Sequence, residues 1–208
     1  VGLPKLPNNF DSLVSLAKMK FSLMGKQIDS LIDLPEMTNP EKLAAMRIMN
    51  SMASAAFHSS PNLFVLLVLN AIALSLKYGN SNLTPLVYAA YGILLCGVLI
   101  EIDAGNQFGR LALSLLDKLN TKKEQVRINH VVSAFIRPWR ENIKQILPSF
   151  LECYSDGLET GDLEYAAITL VVYTDYAFFC GKKLTVVEQE IAKYSDVIKK
   201  LRQDVAFS

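Results

Sequence analysis

The residues that could do chemistry are few and widely separated along this chain. Its histidines are His58 and His130, and its cysteines, Cys96, Cys153 and Cys180, are odd in number and far apart. A metal site needs three or four ligands brought together, usually at short Cys or His spacings, and no such spacing occurs. We expect each histidine to be a surface residue or a satisfied helix residue. We expect the cysteines to be the reduced thiols of a cytoplasmic protein, with no metal or cofactor.

Catalytic motifs are also missing. The segment "GNQFGR" at residues 105–110 has two glycines but lacks the lysine and hydroxyl of a phosphate-binding loop, and no strand is predicted before it. Neither a nucleophile elbow nor an HExxH motif occurs. Glu101 and Asp103 stand two apart, and we expect them to end one helix and cap the next. The sequence therefore predicts no catalytic residue and no enzyme.

One group of side chains could instead bind a partner. Aromatic residues and an acid crowd the segment "VVYTDYAFFC" at residues 171–180, and further aromatics stand on other predicted helices. Aromatic side chains often dominate binding surfaces. The predicted interaction groove consists of Tyr88, Tyr91, Trp139, Tyr173, Asp175 and Tyr176. The alternative, which we favour, is that these aromatics fill the core. Asp175 in an apolar helix would then need a partner, because a lone buried carboxylate is costly.

Helix starts can be read along most of the chain. Proline follows a capping side chain in "TNPE", "SSP" and "LTP", where Asn39 or Thr38, Ser60 and Thr84 would cap. Capping boxes pair Thr121 with Glu124 and Thr185 with Glu188, and Gly161-Asp162 ends one helix and starts another. A break is expected near Pro138. Helices should begin within a few residues of 39, 60, 84, 103, 121, 141, 162 and 185, with no sheet.

These starts predict an all-α fold. Every second start, at 39, 84, 121 and 162, is spaced by 45, 37 and 41 residues. Recurring helix pairs of that length are typical of an α-solenoid, so we predict a right-handed, tetratricopeptide-like array of about eight or nine helices. One helical-repeat domain would span 1–208. An N-terminal helix and entry segment would occupy 1–38, helix-pair repeats 39–183, and a C-terminal helix 184–208, leading to a following domain.

An apolar region raises a rival interpretation. Between Pro61 and Ile100 the one charged residue is Lys77, so a membrane-associated helical hairpin is an alternative. Its two apolar runs fall short of the roughly 20 residues that a span needs, and neither has a basic flank. We therefore expect these helices to be buried inside the fold. The residues predicted to be inaccessible to solvent are Leu66, Leu69, Ile93, Leu94 and Val98.

Composition limits the partners. The 208 residues are 51% hydrophobic and carry a net charge of +1, so there is no broad positive field for nucleic acid. The N-terminal residues "VGLPKLPNNF" have no initiator methionine and no signal pattern, and we expect a fragment of a longer chain. The balanced charge therefore argues against nucleic acid as a partner.

The C-terminal helix carries a narrow apolar stripe, called the C-terminal seam below. Its members, spaced 4, 3, 4, 3 and 4 residues apart, are Val187, Ile191, Tyr194, Ile198, Leu201 and Val205. Such a heptad pattern fits a terminal solenoid helix, or the start of a coiled linker to a following domain. We expect the helix to run to about Val205, to dock on the fold, and to be able to form a homodimer.

Several long segments resemble one family. They include "LPEMTNPEKLAAMRIM", "PNLFVLLVLNAIALSLKYGNS", "GNQFGRLALSLLDKLN" and "RPWRENIKQILPSFLECYSDGLETGDLEYAA". These resemble the central helical region of large multidomain signalling kinases, best known from cyanobacteria, over about residues 30–205. The family order is a Ser/Thr kinase, a STAND ATPase, this region, a GAF sensor and often a histidine kinase. "RPW" and "IEIDAG" depart from the usual family pattern.

The resemblance implies a non-catalytic module, because the family's catalytic residues lie in other domains. Such a module would relay signals through protein contacts between an ATPase and a sensor or output domain. Two alternatives stay open at this point: a small-molecule effector receptor, with its ligand near Tyr88, Tyr91, Tyr173 and Asp175, and the membrane-associated hairpin.

Overall fold

The fold is built from helices throughout the part of the chain that is described. A computed structural model describes residues 9–120 and 122–201, with side chains over 12–120 and 124–199. The α-helices are α1 Asn9–Leu23, α2 Pro40–Ser59, α3 Pro61–Tyr78, α4 Thr84–Gly97, α5 Ile102–Leu119, α6 Lys122–Phe135, α7 Ile143–Thr160, α8 Leu163–Phe179 and α9 Leu184–Leu201. Short 3-10 helices span Ile28–Asp33 and Arg137–Trp139. The all-α prediction is confirmed, since these residues form no strand and show one isolated parallel bridge, Glu36 to Asn80.

The predicted helix starts agree with the structure to within a few residues, and two of the predicted side-chain caps are present. Asn39 accepts hydrogen bonds from the backbone N–H groups of Glu41 and Lys42 at the start of α2. Asp162 accepts one from Tyr165 N at the start of α8, directly after Gly161 ends α7 in the left-handed conformation. The 3-10 turn at Arg137–Trp139 provides the predicted break near Pro138.

Four of the predicted caps act differently. Ser60 precedes α3 but makes no side-chain capping bond, and Asp103 lies inside the first turn of α5 rather than before it. Thr84 is the first residue of α4 rather than the residue before it, and its hydroxyl accepts a hydrogen bond from Ser81 N at 2.8 Å. Thr185 follows the first residue of α9. Thr121 lies outside the described residues.

The chain divides into two compact units, one ending at Leu119 and the other beginning at Asn120. The second unit contains two helix pairs, α6–α7 and α8–α9, in which α6 and α8 lie side by side and parallel. Three contacts with sequence offsets of 38, 39 and 42 residues define that pairing: Arg127 with Tyr165, His130 with Thr169, and Ala134 with Tyr176. The single repeat domain and the right-handed solenoid stay predictions.

Small residues let α7 and α8 approach closely in this unit. Ala166 and Ala167 of α8 are fully buried, and a Cβ added to Gly157 of α7 would stand 2.8 Å from the Ala166 Cβ. That distance is shorter than real carbon–carbon contacts allow. These small residues therefore allow a close approach of α7 and α8.

The apolar region between Pro61 and Ile100 ends in a break between two helices. Helix α4 ends at Gly97 and α5 begins at Ile102, and between them Ile100 adopts a left-handed backbone with φ of 56°. The predicted burial is confirmed for Leu69 and Leu94, which are 3% and 2% exposed. It is wrong for Val98, which is 57% exposed because it falls in the connection after α4. Leu66 and Ile93 are partly buried.

Helix α3 has the length and apolar composition of a membrane span, whereas α4 is apolar but shorter. At 18 residues α3 lies just below the roughly 20 that the sequence argument required, and by length and composition it is a candidate span. Such a helix also fits the interior of a folded protein, where Val68, Leu69 and Ile72 are buried.

The turn between α3 and α4 forms hydrogen bonds with the segment that precedes α2 in the first unit. The side chain of Asn80, 4% exposed, donates to Leu31 O at 2.8 Å and accepts from the Tyr88 hydroxyl at 3.0 Å. Its backbone N–H donates to Pro35 O, and its carbonyl accepts from Met37 N. Gly79 allows this approach, since it has φ of 100° and a Cβ there would stand 2.0 Å from Pro35 O.

We expect Asn80→Ala to lower the free energy of unfolding by about 2–4 kcal/mol. The substitution leaves Leu31 O and the Tyr88 hydroxyl buried without this partner, and each such group costs about 1–3 kcal/mol. Asn70→Ala is the matched control, because Asn70 is exposed on α3, and we expect a change within about 0.5 kcal/mol. Urea unfolding of both variants measures the difference. Equal effects would contradict the role given to Asn80.

Candidate functional site

Two of the six predicted groove residues are core residues of the first unit. Tyr88 and Tyr91 on α4 are 0% and 1% exposed, and both rings meet Phe108 of α5 edge to face. Burial raises the pKa of both hydroxyls, and that of Tyr91 reaches about 12 because the Glu101 charge adds to the burial. These two side chains offer no open surface to a ligand in this structure, which agrees with the core-filling interpretation.

The other four belong to the second unit and have different surroundings. Trp139 is 46% exposed in the α6–α7 connection, and Asp175 is exposed on α8, so its carboxylate does not need the buried partner that we expected. Tyr173 is 5% exposed, and Tyr176 is partly buried with its hydroxyl donating to Ala134 O at 2.6 Å. Tyr173 and Tyr176 therefore take part in the packing of α8 against its neighbouring helices.

Tyr173 also belongs to a polar cluster that joins α8 to α9, called the α8–α9 latch below. The Lys182 ammonium donates to the Tyr173 hydroxyl at 2.8 Å and to the Glu190 carboxylate at 2.9 Å. The Tyr173 hydroxyl donates to Glu190 at 3.0 Å, and Lys182 also lies 4.9 Å from the centre of the Tyr173 ring. Each of the three side chains therefore contacts the other two.

The pKa of Lys182 indicates whether the latch could take part in acid–base catalysis. Burial alone would lower the pKa of Lys182, but hydrogen bonds and charge attraction from Tyr173 and Glu190 outweigh it and raise the pKa. A lysine acting as a general base needs a lowered pKa instead. The latch therefore holds two helices together through a charged hydrogen-bonded pair.

The C-terminal seam is covered only in part. Val187 and Ile198 on α9 are 4% and 3% exposed, and Tyr194 is partly buried with its ring edge to face with Tyr173. Ile191 is 47% exposed. The Leu201 side chain and all of Val205 lie outside the described residues. Helix α9 therefore contacts α8 through Glu190, Tyr194 and Ile198, and it leaves Ile191 exposed.

His130 is the satisfied buried histidine that the sequence allowed. Its ring is 3% exposed, its Nδ1 lies 2.8 Å from the Thr169 hydroxyl, and it meets Tyr165 and Phe150 as aromatic neighbours. Burial lowers its pKa to about 4, so the ring is neutral at physiological pH. His58 is exposed on α2. Within the described residues, no group of His, Cys, Asp or Glu has the arrangement of a metal site.

The three cysteines are free thiols in different environments. Cys96 and Cys153 are buried, and burial raises the pKa of both; for Cys153 it reaches about 12, with smaller effects from the charges of Asp156 and Glu152. Cys180 is half-buried at the end of α8 and donates to Ala177 O. Cys96 and Cys153 therefore lack the thiolate form that a nucleophilic cysteine requires.

Sequence reasoning missed the latch. Lys182 follows the turn glycine Gly181, and Glu190 stands eight residues later in the second turn of α9. Opposite charges across a helix–turn–helix connection, one of them beside a buried tyrosine, could have indicated an ion pair. The pairing of His130 with Thr169 had no comparable signal, because their 39-residue separation requires α6 and α8 to be neighbours.

Comparisons with known proteins give no relative. No family model matches the sequence, and neither a curated protein nor a solved structure matches it. The resemblance to signalling kinases therefore rests on the quoted segments, and the site must be interpreted from its own geometry.

We expect His130 to make the protein less stable in acid. The unfolded state binds a proton near pH 6.5, whereas folded His130 binds one only near pH 4. Lowering the pH through this range therefore favours unfolding, by roughly 3 kcal/mol in full. We expect His130→Gln to have a smaller loss of stability between pH 7.5 and 4.5 than the native protein, by about 2 kcal/mol.

Urea unfolding at several pH values measures this difference, and His58→Gln is the matched control. Carboxylates titrate in the same range, but both variants retain them, so the comparison isolates the histidine. A pH dependence of His130→Gln equal to that of the control would contradict the prediction.

Proposed function

We propose that this chain is a non-catalytic helical interaction module that relays a signal through release and docking of α9. The observation that carries the proposal is the way α9 is held. The α8–α9 latch secures its first turns, Val187 and Ile198 supply its buried contacts, and Ile191 stays 47% exposed. A helix whose first turns are held by a polar latch can have docked and released states of similar free energy, which a relay requires.

The arrangement of the second unit supports the interaction role. Its parallel neighbours α6 and α8 have contacts at offsets of 38–42 residues, as expected for helix pairs of a tetratricopeptide-like array. Arrays of this type bind other proteins through exposed helix faces and rarely carry out chemistry. The raised pKa of Lys182, the lowered pKa of His130 and the buried thiols agree with a role without catalysis.

The wider assignment rests on the sequence resemblance. It places the module in a large cytoplasmic signalling kinase, between a STAND ATPase and a sensor or output domain, with protein partners. The effector-receptor alternative has less support, because Asp175 is exposed rather than enclosed and Tyr88 and Tyr91 are buried. The membrane-hairpin alternative rests on the length and composition of α3.

Hydrogen–deuterium exchange of a Lys182→Met variant tests the relay. Loss of the ammonium bonds to Tyr173 and Glu190 should speed amide exchange over residues 184–199 by roughly tenfold, or about 1.4 kcal/mol. Exchange in α6, α7 and α8 should stay unchanged. Lys183→Met is the matched control, because Lys183 is the exposed next residue. An equal rise throughout the second unit, or no rise in α9, would overturn the proposal.

We expect Ile198→Asp to weaken docking of α9 far more than Ile191→Asp. Ile198 is 3% exposed against Ala167 and Leu170, so an unpaired charge there should cost about 2 kcal/mol or more. The exposed Ile191 should tolerate the same change within about 0.5 kcal/mol. Thermal unfolding measures stability, and sedimentation shows whether either variant changes self-association. Equal stability of the two variants would show that the seam does not hold α9.

A further inference from the structure

One end of the second unit combines exposed aromatic and basic residues. The Tyr176 hydroxyl, in the last turn of α8, donates to Ala134 O in the last turn of α6. Because α6 and α8 are parallel, the connections that follow them, residues 136–142 and 180–183, lie at the same end of the unit. We call this end, with the adjoining helix residues, the basic-aromatic end.

Large apolar side chains are exposed there. Trp139 is 46% exposed after α6, and Phe178 and Phe179 at the end of α8 are 53% and 71% exposed. Leu184, the first residue of α9, is 68% exposed. Phe178 and Phe179 lie edge to face, with ring centres 5.5 Å apart. Apolar side chains concentrated on helix connections are unusual in a surface that faces only water.

Basic residues accompany these side chains. Segments 136–144 and 178–186 together contain five basic residues and one acidic residue. The acid, Glu141, binds Arg137, and Lys182 binds Glu190 of α9 in the latch. Lys144 and Lys183 are exposed. By contrast, residues 156–164, which include the end of α7, the α7–α8 connection and the start of α8, contain four acidic residues and no basic one.

We propose that the basic-aromatic end binds the surface of an anionic lipid membrane. Trp and Phe side chains favour the boundary between headgroups and acyl chains, and lysine side chains can extend from there to anionic headgroups. The excess of basic over acidic residues in these two segments favours an anionic surface as the occupant of this patch. This proposal does not depend on the relay of α9.

Co-sedimentation of the full chain with lipid vesicles tests the proposal. We expect binding to phosphatidylcholine vesicles that contain about 30% phosphatidylserine, and little binding to phosphatidylcholine alone. Raising the salt from about 0.1 M to about 0.5 M should weaken the binding, because screening reduces the charge attraction. Absence of binding, or equal binding to both kinds of vesicle, would overturn the proposal.

Variants identify the surface involved. The double substitution Phe178→Ser with Phe179→Ser should weaken binding at least about tenfold, since two exposed aromatic side chains are lost. The single Phe179→Ser, at the most exposed position, keeps the test valid if the double variant is unstable. Lys144→Glu with Lys183→Glu should weaken binding to anionic vesicles in the same direction.

Leu158→Ser is the matched control, because Leu158 is 42% exposed near the acidic α7–α8 connection. It should bind vesicles as the native protein does. If the phenylalanine variants bind vesicles normally, the proposal fails. It also fails if the native chain forms a dimer that these variants lose while no vesicle binding occurs, since the patch would then contact a second copy.

Discussion

The second unit depends on the buried hydrogen bond between His130 of α6 and Thr169 of α8. Both side chains are nearly inaccessible to solvent, and their polar atoms lie 2.8 Å apart. A buried polar group without a partner costs more than the bond itself contributes, so the register of α6 against α8 that pairs these two groups is favoured. That register brings the ends of the two helices together and gives α8 the orientation in which it receives α9.

Capping made two of the helix starts predictable from the sequence. Asn39 and Asp162 bond to backbone groups two or three residues away, so their role depends on local sequence alone. The Thr84 hydroxyl contacts Ser75 of α3 and Ser81 of the turn before α4, and Val98 lies directly after Gly97, the last residue of α4. These two positions depend on interactions and helix lengths that periodicity does not determine.

The candidate site was less predictable for the same reason. Apolar spacing placed Ile191 and Ile198 on one stripe, but it could not show that α8 covers the second and leaves the first exposed. Tyr173 was identified as an aromatic residue of interest, yet its function in the latch depends on Lys182 in the α8–α9 connection and on Glu190 of α9. Neighbours distant in sequence decide whether an aromatic residue packs, binds or holds a helix.

The unequal environments of the three thiols make the native chain suitable for single-site labelling. Cys96 and Cys153 are buried, and their raised pKa values leave almost no thiolate at neutral pH. Cys180 is the half-buried one, at the end of α8 and two residues before Lys182. A maleimide fluorophore should therefore react first at Cys180. The dye would report on the α8–α9 connection without any cysteine having to be removed.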